Sequence, residues 1–200
     1  LLVGIPGCGK SYSARLFASE WELPLFRFDI GSIYDKWMGE SERKMRAALT
    51  FIDNMAPCVV WIDEIEKAFA GVGGDGSGSD VTTRLFGQFL TWMPEKESSV
   101  FIVATDHNIS KLPPEFLRKG RFDELFFVDL PNGEERRKML DIHLKKRGKW
   151  NRQIDTISLI NETDGFNGAD LESVVKDAVE TAFINGKYEI DTKDLLMAIK

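Results

Sequence analysis

Gly4-Ile5-Pro6-Gly7-Cys8-Gly9-Lys10-Ser11 is the stretch that decides the fold of this chain. Apolar residues precede it and a helical pattern follows it, as expected for a loop between a strand and a helix. Its glycines let backbone N–H groups turn inward around phosphate oxygens, and the next helix directs its positive N-terminal end at the same place. Lys10 would neutralise the β and γ phosphates, while the Ser11 hydroxyl would bind Mg²⁺. The stretch therefore predicts a phosphate-binding loop for a nucleoside triphosphate.

The composition limits the class of protein. The 200 residues carry a formal net charge of −6, so the chain has no general electrostatic attraction for a nucleic-acid backbone. Two isolated cysteines, Cys8 and Cys58, make no disulfide framework and fit a reducing compartment. No apolar run approaches the roughly 20 residues that span a bilayer, and no segment reads as a signal peptide. We expect a cytoplasmic protein with no nucleic-acid partner and no membrane segment in this chain.

The start of the chain is unusual. Leu1-Leu2-Val3 is apolar and runs directly into the phosphate loop, so the chain begins inside its first predicted core strand. Natural proteins rarely begin there. We therefore expect this sequence to be a piece of a longer chain.

Short apolar runs alternate with amphipathic helical patterns up to Pro131, which is typical of a parallel α/β sheet. The predicted strands are Leu1–Val3, Leu25–Asp29, Cys58–Ile62, Val100–Thr105 and Leu125–Asp129. Apolar residues at helical spacing predict helices between these strands, around 14–21, 45–52 and 85–93. The sequence thus predicts a three-layer α/β/α phosphate-loop NTPase domain with a parallel five-stranded sheet over 1–131.

No strand pattern follows Pro131. Helical patterns cover Glu134–Lys146, Gly168–Phe183 and Thr192–Lys200, and Asn167 is a suitable N-cap for the second of them. We therefore predict a small all-helical domain over 132–200.

An acidic pair ends the third predicted strand. Asp63 and Glu64 follow the apolar run Val59–Ile62. Asp63 would hold Mg²⁺ directly or through water, and Glu64 would act as the general base that polarises the attacking water. An ordinary solvated acidic turn would look the same in isolation, but this pair lies about 50 residues after a phosphate loop.

Two arginines lie three residues apart in the segment Phe116–Asp123. The planar guanidinium groups of Arg118 and Arg121 suit the charge of a phosphoryl-transfer transition state. The commoner role of a surface arginine is a salt bridge, and that alternative stays open here.

These features together resemble the AAA ATPases, which form rings. The resemblance covers nearly all 200 residues, and several stretches are most similar to the AAA proteins encoded in cyanobacteria and algal plastids. The segments that carry the resemblance are Gly4–Ser11, Trp37–Glu42, Val59–Glu64, Ala104-Thr105, Leu117–Asp123 and Gly165–Leu171.

The resemblance implies a site shared between subunits. In the family, arginines matching Arg118 and Arg121 reach the ATP of the neighbouring subunit, so ATP with Mg²⁺ is hydrolysed in a homo-oligomer, usually a hexamer. Trp37-Met38-Gly39 matches the loop that lines the central pore and grips a polypeptide substrate. Gly71–Asp80 falls where a second pore loop would lie. The helical domain would be the lid of the family.

The resemblance also implies the nucleotide contacts. The matching positions are Gly4, Ile5, Pro6, Gly7, Cys8, Gly9, Lys10, Ser11 and Tyr12 in the loop, with Gly168 and Ala169 in the lid. One departure concerns the polar sensor residue after the fourth strand, usually an asparagine following Ala-Thr. Here the order is Asp106-His107-Asn108, and the spacing leaves all three as candidates.

The sequence therefore predicts an ATP-hydrolysing ring protein that remodels or threads a protein substrate. Two alternatives stay open. A nucleic-acid motor or loader on the same core conflicts with the net charge and with an aromatic pore loop. An ATP-gated assembly scaffold with little turnover conflicts with the intact Glu64 and the arginine pair, although the unusual sensor segment keeps it open.

Overall fold

The computed structural model describes residues 1–33, 39–69, 77–151 and 153–199, and these fall into two compact units. The first unit comprises Leu1–Gly4 and Lys10–Val128. The second comprises Ile5–Gly9 and Asp129–Lys200. The contact boundary thus lies at Val128–Asp129, and the predicted boundary at Pro131-Asn132 falls immediately before the first helix of the second unit.

The first unit is built on a sheet of five parallel strands. The strands are β1 (Leu2–Gly4), β2 (Leu25–Arg27), β3 (Cys58–Ile62), β4 (Val100–Asp106) and β5 (Phe126–Val128). Their order across the sheet is β2-β3-β4-β1-β5, and every neighbouring pair is parallel. All five residues of β3 are buried, as expected for a strand covered on both faces. The strand bounds differ from the predicted ones by at most two residues.

Helices cover both faces of this sheet. They are α1 (Lys10–Glu20), α2 (Glu40–Asn54), α3 (Ile65–Ala68) and α4 (Ser77–Glu95), with 3₁₀ turns at Ile30–Ile33, Ile109–Lys111 and Pro114–Leu117. Successive side chains of a strand point to opposite faces. Accordingly Val59 and Trp61 pack with the α1 side, whereas Val60 and Ile62 pack with the α2 and α4 side. The predicted three-layer α/β/α arrangement is confirmed.

The second unit contains four helices in its described part. They are α5 (Gly133–Lys146), α6 (Thr156–Glu162), α7 (Gly168–Ile184) and α8 (Thr192–Ile199). A separate apolar core joins them through residues such as Leu140, Leu159, Leu171 and Leu195. Asn167 caps α7 as predicted, in a capping box with Asp170. Helix α6 was not predicted, because only Leu159 of its seven residues is buried and the sequence shows no apolar stripe there.

Candidate active site

The phosphate loop begins where β1 ends. Gly4 pairs with Val128 of β5, and a Cβ atom at Gly4 would overlap the Val128 carbonyl oxygen, so only glycine fits there. Lys10 opens α1 and is buried, and its Nζ atom donates to the Gly4 carbonyl oxygen at 2.6 Å. The Lys10 side chain thus lies against the first residue of the phosphate loop.

The middle of the loop, Ile5–Gly9, belongs to the second unit and packs against the start of α7. A Cβ atom at Gly7 would lie 2.5 Å from Asn167 Oδ1, and one at Gly168 would lie 2.9 Å from the Gly7 carbonyl oxygen. The Ala169 backbone N–H donates to Asn167 Oδ1 at 2.8 Å. The predicted position Gly168 therefore lies beside the loop backbone, and Ala169 bonds the Asn167 cap that the loop approaches.

A hydrogen-bonded run connects α1, β3 and β4. The Ser11 hydroxyl donates to Asp63 Oδ1 at 2.8 Å, and the Thr105 hydroxyl donates to the same oxygen at 2.7 Å. Thr105 Oγ1 also accepts from the Glu64 backbone N–H at 3.0 Å. Thr105 is fully buried. A single hydroxyl therefore fixes both members of the acidic pair relative to each other.

Glu64 has a left-handed backbone, with φ 51° and ψ 54°. A residue with a Cβ atom adopts this conformation at a cost of about 1–2 kcal/mol, and such residues cluster at functional sites. The Glu64 carboxylate meets Lys67 Nζ at 2.6 Å through Oε2 and His107 Nε2 at 2.9 Å through Oε1. Lys67, assisted by His107, holds the pKa of the Glu64 carboxyl below its ordinary value, in spite of the opposing effect of burial.

The three sensor candidates have different surroundings. His107 contacts Glu64, as just described. Asp106 is fully buried, and its Oδ1 atom accepts from the Asn108 backbone N–H. The Asn108 side chain accepts from the backbone and the hydroxyl of Ser110. Of the three candidates, His107 is therefore the one whose side chain meets the acidic pair.

The buried carboxyl group of Glu66 interacts with the backbone of the sensor segment. Burial raises the pKa of Glu66, the negative charge of Asp106 adds to the rise, and a hydrogen bond from the His107 backbone opposes it. Glu66 thus helps to fix the backbone that carries the His107 ring beside Glu64.

The arginine pair lies away from these contacts. Arg118 follows the 3₁₀ turn Pro114–Leu117 and is exposed. Arg121 is half-buried, and its Nη1 atom finds no hydrogen-bond partner among the described residues. The structure brings neither guanidinium to the acidic pair of its own chain.

The remaining predicted residues have mixed placements. Tyr12 is exposed on α1, and Cys8 is buried with its Sγ atom near the Pro6 carbonyl oxygen. Gly39 precedes α2 with a positive φ of 83°. Trp37 and Met38 lie outside the described residues, as does most of the predicted second pore loop.

Two residues of the site were missed in the sequence. Thr105 belongs to the Ala-Thr segment that the resemblance used, but nothing in the sequence assigned it a role. Lys67 lies three residues after Glu64, a spacing that brings side chains together on a helix. That spacing was the available signal, but the four-residue α3 is too short to give a helical pattern.

The chain is similar in sequence to known proteins. Residues 1–130 match the ATPase family associated with various cellular activities (AAA), and residues 153–197 match the AAA+ lid domain. The chain is 46% identical over 201 residues to an uncharacterized AAA domain-containing protein, ycf46, of Guillardia theta, covering all of this chain and 39% of that protein. It is 35% identical over 202 residues to the ATP-dependent zinc metalloprotease FtsH of Thermus thermophilus, covering 98% of this chain and 32% of that protein.

A third relative is the putative ribosome biogenesis ATPase nvl of Dictyostelium discoideum, which is 34% identical over 211 residues, covering all of this chain and 24% of that protein. The chain thus spans well under half the length of these relatives. It belongs to the AAA family of ATPases. As a member it is an ATP hydrolase that uses ATP with Mg²⁺.

The oxygen atoms at the site fit Mg²⁺. Ser11 Oγ and Asp63 Oδ1 lie 2.8 Å apart and are hard donors of the kind that Mg²⁺ prefers. Among the described residues, no group of three or more His, Cys, Asp or Glu side chains is arranged to hold a metal. Ser11 and Asp63 fit an ion bound by one carboxylate, a hydroxyl, nucleotide phosphates and water. In the same parts of the chain, no helix is long and apolar enough to cross a membrane.

Proposed function

We propose that this chain is the motor of a ring-forming ATPase that remodels or threads a protein substrate. The observation that carries the hydrolytic part is the hydrogen-bonded run from Ser11 through Asp63 and Thr105 to Glu64. It links the residue that follows the phosphate-loop lysine to a carboxylate suited to activating water. In this proposal residues 1–131 form the ATPase domain and residues 132–200 form its lid.

The phosphate loop, Gly4–Ser11, and Tyr12 bind the nucleotide, with Gly168 and Ala169 on the lid side. Lys10 leaves the Gly4 carbonyl oxygen for the β and γ phosphates, because an anionic phosphate is the better partner for a buried ammonium. Ser11 and Asp63 hold Mg²⁺, which would offset charge on the phosphate oxygens. Glu64 accepts a proton from the attacking water.

His107 is the residue we propose as the sensor. Its contact with Glu64 Oε1 supports this role, since Asp106 Oδ1 accepts from the Asn108 backbone and Asn108 Oδ1 accepts from Ser110. A ring nitrogen at that position orients the Glu64 carboxylate. The contact between the two side chains changes when the carboxylate moves toward water.

Arg118 and Arg121 act on the site of a neighbouring subunit in a homo-oligomer, which we take to be a hexamer. The exposure of Arg118, and the lack of a partner for Arg121 Nη1 within the described part of the chain, support a role outside their own chain. Oligomers are typical of the family, and a guanidinium supplied from the next subunit would tie hydrolysis to assembly.

A polypeptide is the substrate that we propose, gripped by Trp37, Met38 and Gly39. The printed functions of two relatives, a metalloprotease and a ribosome biogenesis ATPase, support work on proteins or their complexes. The net charge of −6 gives no support to nucleic acid as a partner. We place this activity in the cytoplasm, or in the plastid stroma if the source is an alga.

The test of the hydrolytic part is Glu64→Gln. The variant should bind a fluorescent ATP analogue with the parental affinity but release phosphate at least about 100-fold more slowly, because the amide cannot accept the proton. The matched control is Glu20→Gln, an exposed glutamate on α1 that should keep parental turnover. Parental turnover by the Glu64 variant would remove Glu64 as the base.

A further inference from the structure

Both oxygens of the Glu64 carboxylate are engaged by cations or donors of the same chain. Lys67 Nζ lies 2.6 Å from Oε2, and His107 Nε2 lies 2.9 Å from Oε1. The Lys67 backbone N–H also donates to the Glu64 carbonyl oxygen at 2.8 Å, which anchors the lysine to the residue it contacts. Both oxygens of the Glu64 carboxylate, which is expected to accept a proton, therefore already have a partner.

We propose that Lys67 is a positioning residue that acts as a brake on hydrolysis, holding Glu64 in a resting conformation until the ammonium leaves the carboxylate. The proposal rests on the proposed function, in which Glu64 is the base.

The chemistry of the pair supports a brake. A general base must accept a hydrogen bond from the attacking water and then take its proton. The Lys67 ammonium, at 2.6 Å, occupies Oε2 and keeps that oxygen from accepting the hydrogen bond of the water. The rigid left-handed backbone at Glu64 fixes where the carboxylate starts, so the side chain must change its partners to reach water.

Of the two partners, Lys67 is the one that is free to leave. Its side chain is 67% exposed, and exposed ion pairs are weak. It lines a cavity of about 200 Å³ together with Asp29, Gly31 and Asp63, so the ammonium has room to move without displacing a packed side chain. The His107 ring is 30% exposed and its Nδ1 atom is buried, so it is less open to solvent than the Lys67 side chain.

The cavity also suggests where the brake is controlled. Asp29 and Gly31 belong to the segment around the 3₁₀ turn Ile30–Ile33, which comes directly before the residues predicted to grip substrate. Asp29 offers a second carboxylate on the cavity wall for the Lys67 ammonium. A displacement of this segment would therefore change the balance between the two carboxylates.

The test compares steady-state ATP hydrolysis by the purified protein and its variants. Lys67→Met keeps the length of the side chain and removes the charge. It should raise kcat about three- to tenfold at an unchanged KM for ATP, because it removes the hold on the base and not a nucleotide contact. Lys67→Arg restores a cation and should bring kcat back toward the parental value. Lys176→Met is the matched control, since Lys176 forms an exposed ion pair with Glu180 in α7.

Several outcomes would overturn the proposal. A kcat that is unchanged or lower in Lys67→Met, with a parental thermal unfolding curve, would mean that Lys67 is neutral or holds Glu64 in its productive position. A change in KM alone would make Lys67 a binding residue. If Lys67→Met does not fold, Lys67→Gln serves in its place.

The single variants Glu64→Gln and Lys67→Met separate this proposal from the proposed function, and the double variant Glu64→Gln, Lys67→Met tests whether any gain from Lys67→Met requires Glu64. If Glu64 is the base, the double variant is inactive whatever Lys67 does. Activity in Glu64→Gln alone would sink the proposed function. If Glu64→Gln is inactive and Lys67→Met has unaltered turnover, only the proposal that Lys67 restrains Glu64 is contradicted.

Discussion

His107 Nε2 lies 2.9 Å from Glu64 Oε1, although 43 residues separate the two in the chain. The contact arises because β4 lies next to β3 in the sheet, so that the residues following these parallel strands meet at one edge. Strand β1, which leads into the phosphate loop, flanks β4 on its other side. The sheet order thus places the β4 residues between the loop and the acidic pair.

Thr105→Val tests whether that β4 position organises the site. The change keeps the shape of the side chain but removes the hydroxyl that joins Asp63 to the Glu64 backbone. The loss leaves the partly buried Glu64 N–H group without this partner, so the free energy of unfolding should fall by about 1 kcal/mol. The Mg²⁺ concentration for half-maximal hydrolysis should rise about tenfold or more, as is usual when a group that orients a metal ligand is lost.

Thr105→Ser is the control for this prediction, because it keeps the hydroxyl. It should restore most of the Mg²⁺ affinity. If Thr105→Val and the parent require the same Mg²⁺ concentration, Thr105 does not orient Asp63.

The sharing of sites between subunits is tested by mixing inactive variants. Arg121→Ala subunits have an intact phosphate loop, and Lys10→Ala subunits have an intact Arg121. A mixed ring should therefore contain some complete sites and hydrolyse more ATP than either variant by itself, as measured by phosphate release across a range of ratios.

The matched control mixes Lys10→Ala with Glu64→Gln. Both changes damage the same bound-nucleotide site of their own subunit, so no complete site can form. Recovery in this control, or no recovery at any ratio in the test mixture, would contradict a site completed by the neighbour's arginine.

A binding measurement tests the proposed grip on substrate. In a Glu64→Gln background with ATP, fluorescently labelled casein should bind the ring, and Trp37→Ala should weaken that binding about tenfold or more because an aromatic side chain contributes much of such a contact. Trp150→Ala, a change of an exposed tryptophan outside the predicted pore loop, is the control. Equal binding of casein by Trp37→Ala and its parent would exclude Trp37 as a gripping residue.

The helical unit should have a pH-dependent stability that depends on His143. Burial lowers the pKa of His143 despite the nearby charge of Glu172, so the folded protein binds this proton less readily than the unfolded chain. The unfolded chain takes up the proton near pH 6.5, and the stability contributed by the neutral ring is therefore present above that pH and lost as the pH falls below it.

Denaturant unfolding between pH 5 and 7.5 measures this effect. His143→Gln should flatten the rise of unfolding free energy with pH relative to the parent. Glu172, whose pKa is lowered chiefly by its bond with Arg147, stays charged throughout this window. An equally steep rise in the variant would mean that another group titrates.

Much of the fold was predictable because its signals are local. The unbroken apolar run of β3 gave the strand bounds Cys58–Ile62, and the capping residue Asn167 gave the start of α7. The choice of sensor was not predictable. It depends on the turn after β4, where Asp106 faces inward to accept from the Asn108 backbone and the next side chain, His107, meets Glu64.

Lys67 escaped prediction for a different reason. An exposed lysine in a charged segment reads as a solvated side chain, and spacing by itself cannot reveal the left-handed backbone that brings it to Glu64. The side chains of Trp37 and Met38 lie outside the described residues, so their role stays a prediction.

The backbone contact between Gly7 and Gly168 limits how this motor can be recombined. Neither position has room for a methyl group without displacing the other segment. A chimera that takes its last helices from a relative would therefore work only if the donor brings a glycine to position 168 and a compatible cap before it. The loop around Gly7 and the start of α7, although far apart in the sequence, must therefore be taken from the same protein.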